Sequence, residues 1–346
     1  MNFPTVTDSG VEQHLGAYLD ARISIFRKLG SGWQTDIFEF EVPHSCRHGD
    51  IPAGRPLVLK VYQVAIAAEK CARETWAMRR LKDAGYPVPR PYLFESDHQP
   101  LGRPFMIMEH VKGQPLFAFD TVPKALAVFV KCFIPFARVH AALHLINTQV
   151  VSDESSPLID RMLTTIAERI EQVPLHPLKP ALEWATSNAA RFRSGPDSVL
   201  HLDYLPRNVM VEGVHVTGVL DWMGVDVGDR HLDAATTALI LRTSATGQHG
   251  LLRDRAVGNT LRLLCAATYV TLYHLLFRLD LDRFRYYQTV AALHRLSMFS
   301  LMRMRGPESA GFRPRAIAEV TPAVLRALSR RVTRLTGVSL PPSEPV

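Results

Sequence analysis

His201-Leu202-Asp203-Tyr204-Leu205-Pro206-Arg207-Asn208-Val209-Met210-Val211, continued by Val216-Thr217-Gly218-Val219-Leu220-Asp221-Trp222, sets an acid, an amide five residues later, and a second acid at the end of an apolar strand. Phosphoryl transfer needs this layout from one loop and hairpin. The first carboxylate can take the proton of an attacking hydroxyl, and the amide oxygen and second carboxylate are hard donors that suit Mg²⁺ beside phosphates. The stretch is a short β-rich island, Val199 to Trp222, inside a region of helical periodicity.

Upstream the pattern is different. Ile23 to Lys28 and Ile37 to Val42 read as strands flanking Gly30-Ser31-Gly32, and residues 43–54 as a loop. Leu57 to Tyr62 is a third strand with Lys60 embedded in it, and Ala67 to Ala84 follows as a helix that stops at Gly85, with Pro87 just beyond. Tyr92 to Glu95 and Phe105 to Glu109 complete a small antiparallel sheet. A lysine in an apolar strand is costly to bury unpaired, and the helix after it offers an acid to neutralise it, with Glu69 and Glu74 both on that helix. Beyond Gly113, Ala125 to Ile146, Leu158 to Gln172 and Pro180 to Phe192 show helical spacing, and helices resume from Leu232 to Thr336, ahead of a frayed tail at 341–346. The expected fold is α+β with two lobes: residues 1–112, a β-sheet with one helix, and residues 113–346, mostly helical.

With 346 residues, 47% hydrophobic and 21% charged, the chain is long enough for two lobes and is neither disordered nor fibrous in composition. The net charge of +7 is uneven: residues 234–346 hold 16 Arg and 6 acids, whereas residues 1–233 hold 24 bases and 27 acids. Cys46, Cys71, Cys132 and Cys265 fall at no metal-binding or paired spacing, so free thiols in a reducing compartment are expected. Met1 to Leu15 lacks the pattern of a secretory leader, and Leu263 to Phe277, the longest apolar run, is broken by Thr268, Thr271 and His274 and reads as a buried helix. A cytoplasmic protein, not a membrane-bound one, is the expectation.

On these motifs the sequence resembles the aminoglycoside phosphotransferase and choline kinase family, whose fold is similar to that of protein kinases. The family pattern is His-Gly-Asp, four residues, Asn, then Ile-Asp-Trp, then Gly-Asp-Pro and a further Asp. Here it reads His201-Leu202-Asp203, Asn208, Leu220-Asp221-Trp222, Gly228-Asp229-Arg230 and Asp233, departing at Leu202 and Arg230. The resemblance implies ATP and Mg²⁺ as cofactors, Asp203 as catalytic base or hydroxyl-orienting group, and Asn208 and Asp221 as metal ligands. It also implies Lys60 on the α- and β-phosphates with Glu74 as its partner. Gly30 and Gly32 would bring backbone amides near the triphosphate, and Glu109 to Val111 would be a hinge that meets adenine through its backbone.

Several residues admit plainer readings. His201 reads as an orienting or core histidine; His140 and His144, at i and i+4, as buried and hydrogen-bonded, there being no third metal ligand in view. Asp229 reads as the N-cap of a helix starting near Arg230, with Asp233 in its first turns. Arg283-Phe284-Arg285-Tyr286-Tyr287 reads as an amphipathic helix with a solvated arginine face, so no nucleic-acid partner is expected. Residues 114–200 carry 8 acids and 8 bases, which favours a neutral or anionic hydroxyl acceptor over a polycation. The rival functions are a kinase-fold nucleotide-binding protein without turnover and a nucleic-acid-binding protein using the arginine-rich C-terminal third.

Overall fold

The computed structural model describes residues 8–62, 68–116, 122–151, 156–173, 175–193, 195–243 and 255–340. Ala67 and the tail at 341–346 lie outside these residues. The first lobe opens with helix α1 (Asp8–Leu19) and continues through strands β1 (Ile25–Ser31), β2 (Thr35–Glu41) and β3 (Pro56–Tyr62), helix α2 (Ala68–Asp83), and strands β4 (Pro91–Glu95) and β5 (Phe105–Glu109). The strands form one antiparallel sheet in the order β1-β2-β3-β5-β4.

β3 is the central strand, and its period-2 alternation sends Leu57, Leu59 and Val61 to a core shared with α1 while Val58 and Tyr62 face the opposite core. Lys60 shares the parity of Val58 and Tyr62, so it faces α2 rather than solvent. α2 ends where its sequence says it must. Gly85 adopts φ +80°, and the Tyr86 N–H closes back on the Leu81 carbonyl at 2.9 Å, the left-handed cap that glycine permits. The β1 strand runs through Gly30 to Ser31 with a register shift between Lys28 and Gly30, so the turn lies one step later than the two glycines suggest, at Gly32 to Gln34.

The second lobe contains β6 (Gln114–Pro115), α3 (Val122–Leu143), α4 (Leu158–Gln172), α5 (Lys179–Phe192), β7 (Asp197–Leu200), β8 (Val209–Glu212), β9 (His215–Val219), β10 (Asp226–Asp229), α6 (Arg230–Thr243), α7 (Arg255–Leu276), α8 (Leu281–Arg305) and α9 (Pro322–Thr336). β6-β8-β9 and β7-β10 are two small antiparallel sheets that carry the loop beginning at His201 and the turn after Val219. Gly113 sits at φ +100° where a Cβ would come within 2.4 Å of the Val211 carbonyl oxygen, so the chain between the lobes can lie against β8 only with glycine there. α8 packs on α4, α6 and α9.

The helix predicted at Leu263 to Phe277 exists, as part of α7, but it is not buried. Leu263, Leu264, Leu275 and Leu276 are 43 to 74% exposed, because α7 packs on α3 and α6 with one side only. Among the described residues no helix is long and apolar enough to cross a membrane.

Candidate active site

The residues singled out by the sequence come together where the two lobes meet. Lys60 Nζ lies 2.7 Å from Glu74 Oε1 and 3.2 Å from Asp221 Oδ1, joining β3, α2 and the end of β9 in one contact set. The rival Glu69 is exposed at the first turn of α2 and takes no part. Burial alone would push the Lys60 ammonium toward neutrality, but the charges of Asp221 and Glu74 outweigh it and hold its pKa above the usual lysine value. Glu74 does more than pair the lysine. Its Oε1 accepts the Trp222 N–H at 3.0 Å and its Oε2 the Tyr62 hydroxyl at 2.8 Å, so one buried carboxylate links the first-lobe sheet to the backbone beside Asp221.

Asn208 Nδ2 donates to the Asp203 carbonyl at 3.0 Å and to Asp203 Oδ2 at 3.1 Å. The amide is thereby fixed with its Oδ1 unused by Asp203. The Leu220 N–H donates to the Asn208 carbonyl at 2.7 Å, which registers the loop against the strand leading to Asp221. Burial and the nearby charge of Asp221 raise the Asp203 carboxyl to about 7, although Arg207, Arg295 and Asn208 act in the other direction. Asp221 behaves oppositely: burial would raise it, yet Lys60 draws it below the usual aspartate value. Two carboxylates close enough to perturb one another, beside a fixed amide oxygen, form an oxygen donor set that fits a divalent cation.

His201 is buried, its pKa pushed down to about 4 by burial, so its ring is neutral. Nδ1 accepts the Asp203 N–H at 3.2 Å, which leaves Nε2 to donate to the Leu220 carbonyl at 3.1 Å. The orienting reading of this histidine therefore has a concrete form: it spans the acid-bearing loop and the strand that ends at Asp221. Leu202 stands at φ +61° and Asp221 at φ +65°, both in the left-handed region. A leucine where glycine would be free thus keeps the glycine conformation. Replacement of Leu202 by valine, which tolerates φ > 0 less well, is expected to cost about 1 to 2 kcal/mol in urea unfolding. An unchanged midpoint would show that the loop does not need this conformation.

Asp233 is the residue whose place the sequence did not disclose. It is fully buried, its Oδ2 and Oδ1 accept the backbone N–H groups of His201 at 2.6 Å and Leu202 at 2.8 Å, and His140 Nε2 and His144 Nε2 stand 3.1 and 3.2 Å from Oδ2. The two ring Nδ1 atoms meet Tyr269 and Tyr273 hydroxyls at 2.7 and 2.6 Å, so the pair is part of a buried hydrogen-bonded network with Asp233 as its third member. Against burial, His140 and His144 hold the Asp233 carboxyl well below the usual range, and the charge it keeps pins the start of the loop that carries Asp203. A signal was available in the sequence, where Asp233 is the one Asp, Glu, Lys or Arg in the otherwise small and apolar run His231 to Leu241, and an acid inside such a helix must find partners. Asp229, by contrast, caps α6 as expected, with Oδ1 accepting the His231 N–H at 2.8 Å. Arg230 occupies the first helical position, whose N–H needs no partner, which is why proline and arginine serve equally there.

The remaining predicted residues lie around this centre. Gly30 has no atom within 4 Å of a Cβ position, and the Gly32 carbonyl accepts a bond from Arg315. The turn is further held by Trp33 Nε1 on Glu319 at 3.0 Å and Arg313 on Asp36 at 2.9 Å, contacts between lobes that local pattern does not encode. Glu109 Oε2 is taken by Lys82 at 2.9 Å and by the Arg90 N–H at 3.0 Å, and the Glu109 N–H donates to the Arg90 carbonyl at 2.8 Å, so both its side chain and its N–H are committed to the scaffold. Among the described residues the Val111 N–H has no partner, and its side chain packs over Gly218.

A family model, described as the phosphotransferase enzyme family, matches residues 26–266, well over half of the chain. The chain belongs to the phosphotransferase enzyme family. It is accordingly a phosphotransferase enzyme with a two-lobe α+β, protein-kinase-like fold. Among solved structures, this phosphotransferase is similar to aminoglycoside phosphotransferase APH(4)-Ia, with TM-score 0.66 and 15% identity over 96% of this chain and 99% of that one. A thermostable mutant of the same protein, in a ternary complex with AMP-PNP and hygromycin B, aligns with TM-score 0.63 and 15% identity, again over 96% and 99%. APH(3'')-Id from Streptomyces rimosus aligns with TM-score 0.53 and 15% identity over 78% and 92%. By sequence, the phosphotransferase is 29% identical over 184 residues to acyl-CoA dehydrogenase family member 11 of Homo sapiens and 28% identical over 183 residues to that of Pongo abelii. Each match takes in 50% of this chain and only 23% of the relative's length.

Proposed function

We propose that this phosphotransferase uses ATP and Mg²⁺ to phosphorylate a hydroxyl of a small molecule that carries an anionic group. The observation behind the reading is the junction of Lys60, Glu74 and Asp221 across the lobes, set beside the Asp203–Asn208 pair. In this reading Lys60, kept charged and in place by Glu74, contacts the α- and β-phosphates. The backbones at Gly30 and Gly32 approach the triphosphate, and the backbones of Glu109 and Val111 receive the adenine. Asn208 Oδ1 and Asp221 hold Mg²⁺, which when bound neutralises charge on the phosphates. Asp203 orients the acceptor hydroxyl and takes its proton, with a carboxyl already poised near neutrality. We place the lobe boundary between residues 112 and 113, and the protein in the cytoplasm, a location compatible with its four free cysteines.

The acceptor class is inferred from charge at the site. Arg207 and Arg295 both act electrostatically on Asp203, and half-buried Arg295 keeps a buried Nε without a partner, its guanidinium over the Phe299 ring at 5.0 Å. Arg207 is partly offset by Glu319 at 3.6 Å, and the positive charge that remains beside the catalytic carboxylate, chiefly that of Arg295, disfavours a polyamine and favours an alcohol bearing a carboxylate or phosphate. One neighbour's complex holds hygromycin B, and the relatives by sequence are named for acyl-CoA, so both chemistries belong in the test. In a coupled ADP-release panel of amine-rich antibiotics, neutral sugars, hydroxy acids and hydroxyacyl thioesters of coenzyme A, the anionic alcohols are expected to turn over at least tenfold faster in kcat/KM, about 1.4 kcal/mol. Faster turnover of aminoglycosides would overturn the acceptor assignment and leave the phosphotransferase reading intact.

A further inference from the structure

Away from the catalytic cleft, α6, α7, α8 and α9 line an open cavity of about 1500 Å³. None of Lys60, Glu74, Asp203, Asn208 and Asp221 lines it. Among the described residues, seven arginines drawn from all four helices line it and no aspartate or glutamate does. On α9 the spacing is regular: Arg326, Arg330 and Arg334 follow at i, i+4 and i+8, one face of one helix, turned toward Arg242 on α6 and Arg262 on α7. Among the described residues, Arg242, Arg326, Arg330 and Arg334 form no ion pair and Arg262 and Arg331 reach only neutral groups, Asn259 and Gln288, whereas Arg285 pairs loosely with Asp282 at 3.8 Å. The crowding is felt electrostatically, since burial together with Arg330 and Arg334 lowers the pKa of Arg242.

Between the arginines the lining is apolar. Leu239, Phe284 and Val324 are buried in the floor, while Leu263 and Leu281 stand 50 and 57% exposed at the wall. Residues 234–346 contain 16 arginines and no lysine, and arginine is the cation that is less strongly hydrated and that grips phosphate with two parallel hydrogen bonds. Like charges gathered without carboxylates work against folding, and surface arginines held only for solubility are normally interspersed with acids. A concave site that combines uncompensated guanidinium groups with exposed leucines matches a ligand having a charged head and an aliphatic body. A nucleic acid duplex presents phosphates along a convex rod and offers nothing for the leucines that stand between the arginines.

We propose that this cavity is a second binding site, independent of the phosphotransfer site, for a small phosphate-bearing amphiphile. The head group lies among Arg242, Arg330 and Arg334, and the chain lies against Leu263, Leu281 and Phe284. α8 touches both regions: Phe284 and Gln288 line the cavity, and Arg295, about 10 Å further along the helix axis, faces Asp203.

The test is calorimetric titration of the full chain with dodecyl phosphate below its micelle-forming concentration, with inorganic phosphate and dodecyl maltoside in parallel. Dodecyl phosphate is expected to bind at least tenfold more tightly than either control. Arg330→Gln/Arg334→Gln is expected to weaken it at least tenfold while melting no lower than the parent, because repulsion is relieved. Asp221→Ala is expected to leave it unchanged, so that loss of the catalytic reading and loss of this one are separable. Equal affinity in the double arginine variant, equal affinity for dodecyl phosphate and either control, or salt-steep retention of duplex DNA without binding of dodecyl phosphate would each overturn the proposal.

Discussion

Asp203→Asn is expected to lower kcat by about 10²- to 10⁴-fold with little change in nucleotide affinity. The carboxylate is the group that would receive the hydroxyl proton, whereas the nucleotide is held by Lys60, the glycine turn and the hinge backbone. A coupled ADP-release assay reads the rate, and nucleotide titration reads the affinity. The same variant carries a stability signature in metal-free protein. The Asp203 carboxyl titrates near 7 in the folded chain, above its usual value of about 4, so the folded state binds the proton more tightly than the unfolded one. Ionisation therefore costs the parent stability as pH rises from about 4 through about 7, a cost the asparagine does not bear. The variant is expected to gain in melting temperature relative to the parent as pH rises across that window, the gain levelling off above it. A difference independent of pH would mean that Asp203 is not held in an unfavourable charged state.

Glu74→Ala is expected to destabilise the protein by about 3 to 5 kcal/mol in urea unfolding, among the largest effects of any single substitution. The loss is large because Lys60 and Glu74 are 5 and 1% exposed, and removal of the glutamate leaves the buried ammonium with only Asp221, at 3.2 Å, to balance it. The alanine also leaves the Tyr62 hydroxyl and the Trp222 N–H without their acceptor. Lys60→Met combined with Glu74→Leu is expected to recover only the part of the loss that comes from the unbalanced lysine, and none of the activity. An apolar pair can replace the ion pair but still leaves the Tyr62 hydroxyl and the Trp222 N–H without an acceptor and cannot touch a phosphate. Glu69→Ala, at an exposed position of α2, should change stability by about 0.5 kcal/mol or less. A reversed order of the two glutamates would contradict the pairing.

The parts of the fold that local chemistry dictates were readable from the sequence. The strand holding Lys60, the α2 helix ending at Gly85, the β5 strand at exactly its observed bounds and the α4 helix likewise follow from alternation, helical spacing and a left-handed glycine. The site was legible where its members share one loop and hairpin, as Asp203, Asn208 and Asp221 do. The choice of Glu74 over Glu69 was open, because both lie on a helix whose rotation about its axis only packing sets. Asp233 was read as an acid attracted by a helix dipole; its true partners, the loop amides and His140 and His144, lie some thirty and ninety residues away in sequence. The strap between the glycine turn and residues 311–319 joins positions more than 270 apart, as Trp33 and Glu319 do, and no local pattern carries that information. The apolar run at Leu263 to Phe277 was read as buried throughout, whereas its buried face is made by Cys265, Tyr269 and Tyr273, and Leu263, Leu264, Leu275 and Leu276 are exposed.

The most direct test of the account is the thermal shift produced by ATP with and without Mg²⁺ in the parent and in Asp221→Ala. If Lys60, Asn208 and Asp221 form a nucleotide and metal site, ATP with Mg²⁺ raises the melting temperature of the parent more than ATP alone, and the metal-dependent part vanishes in the variant. An identical shift in both proteins, or none with ATP in the parent, would contradict it.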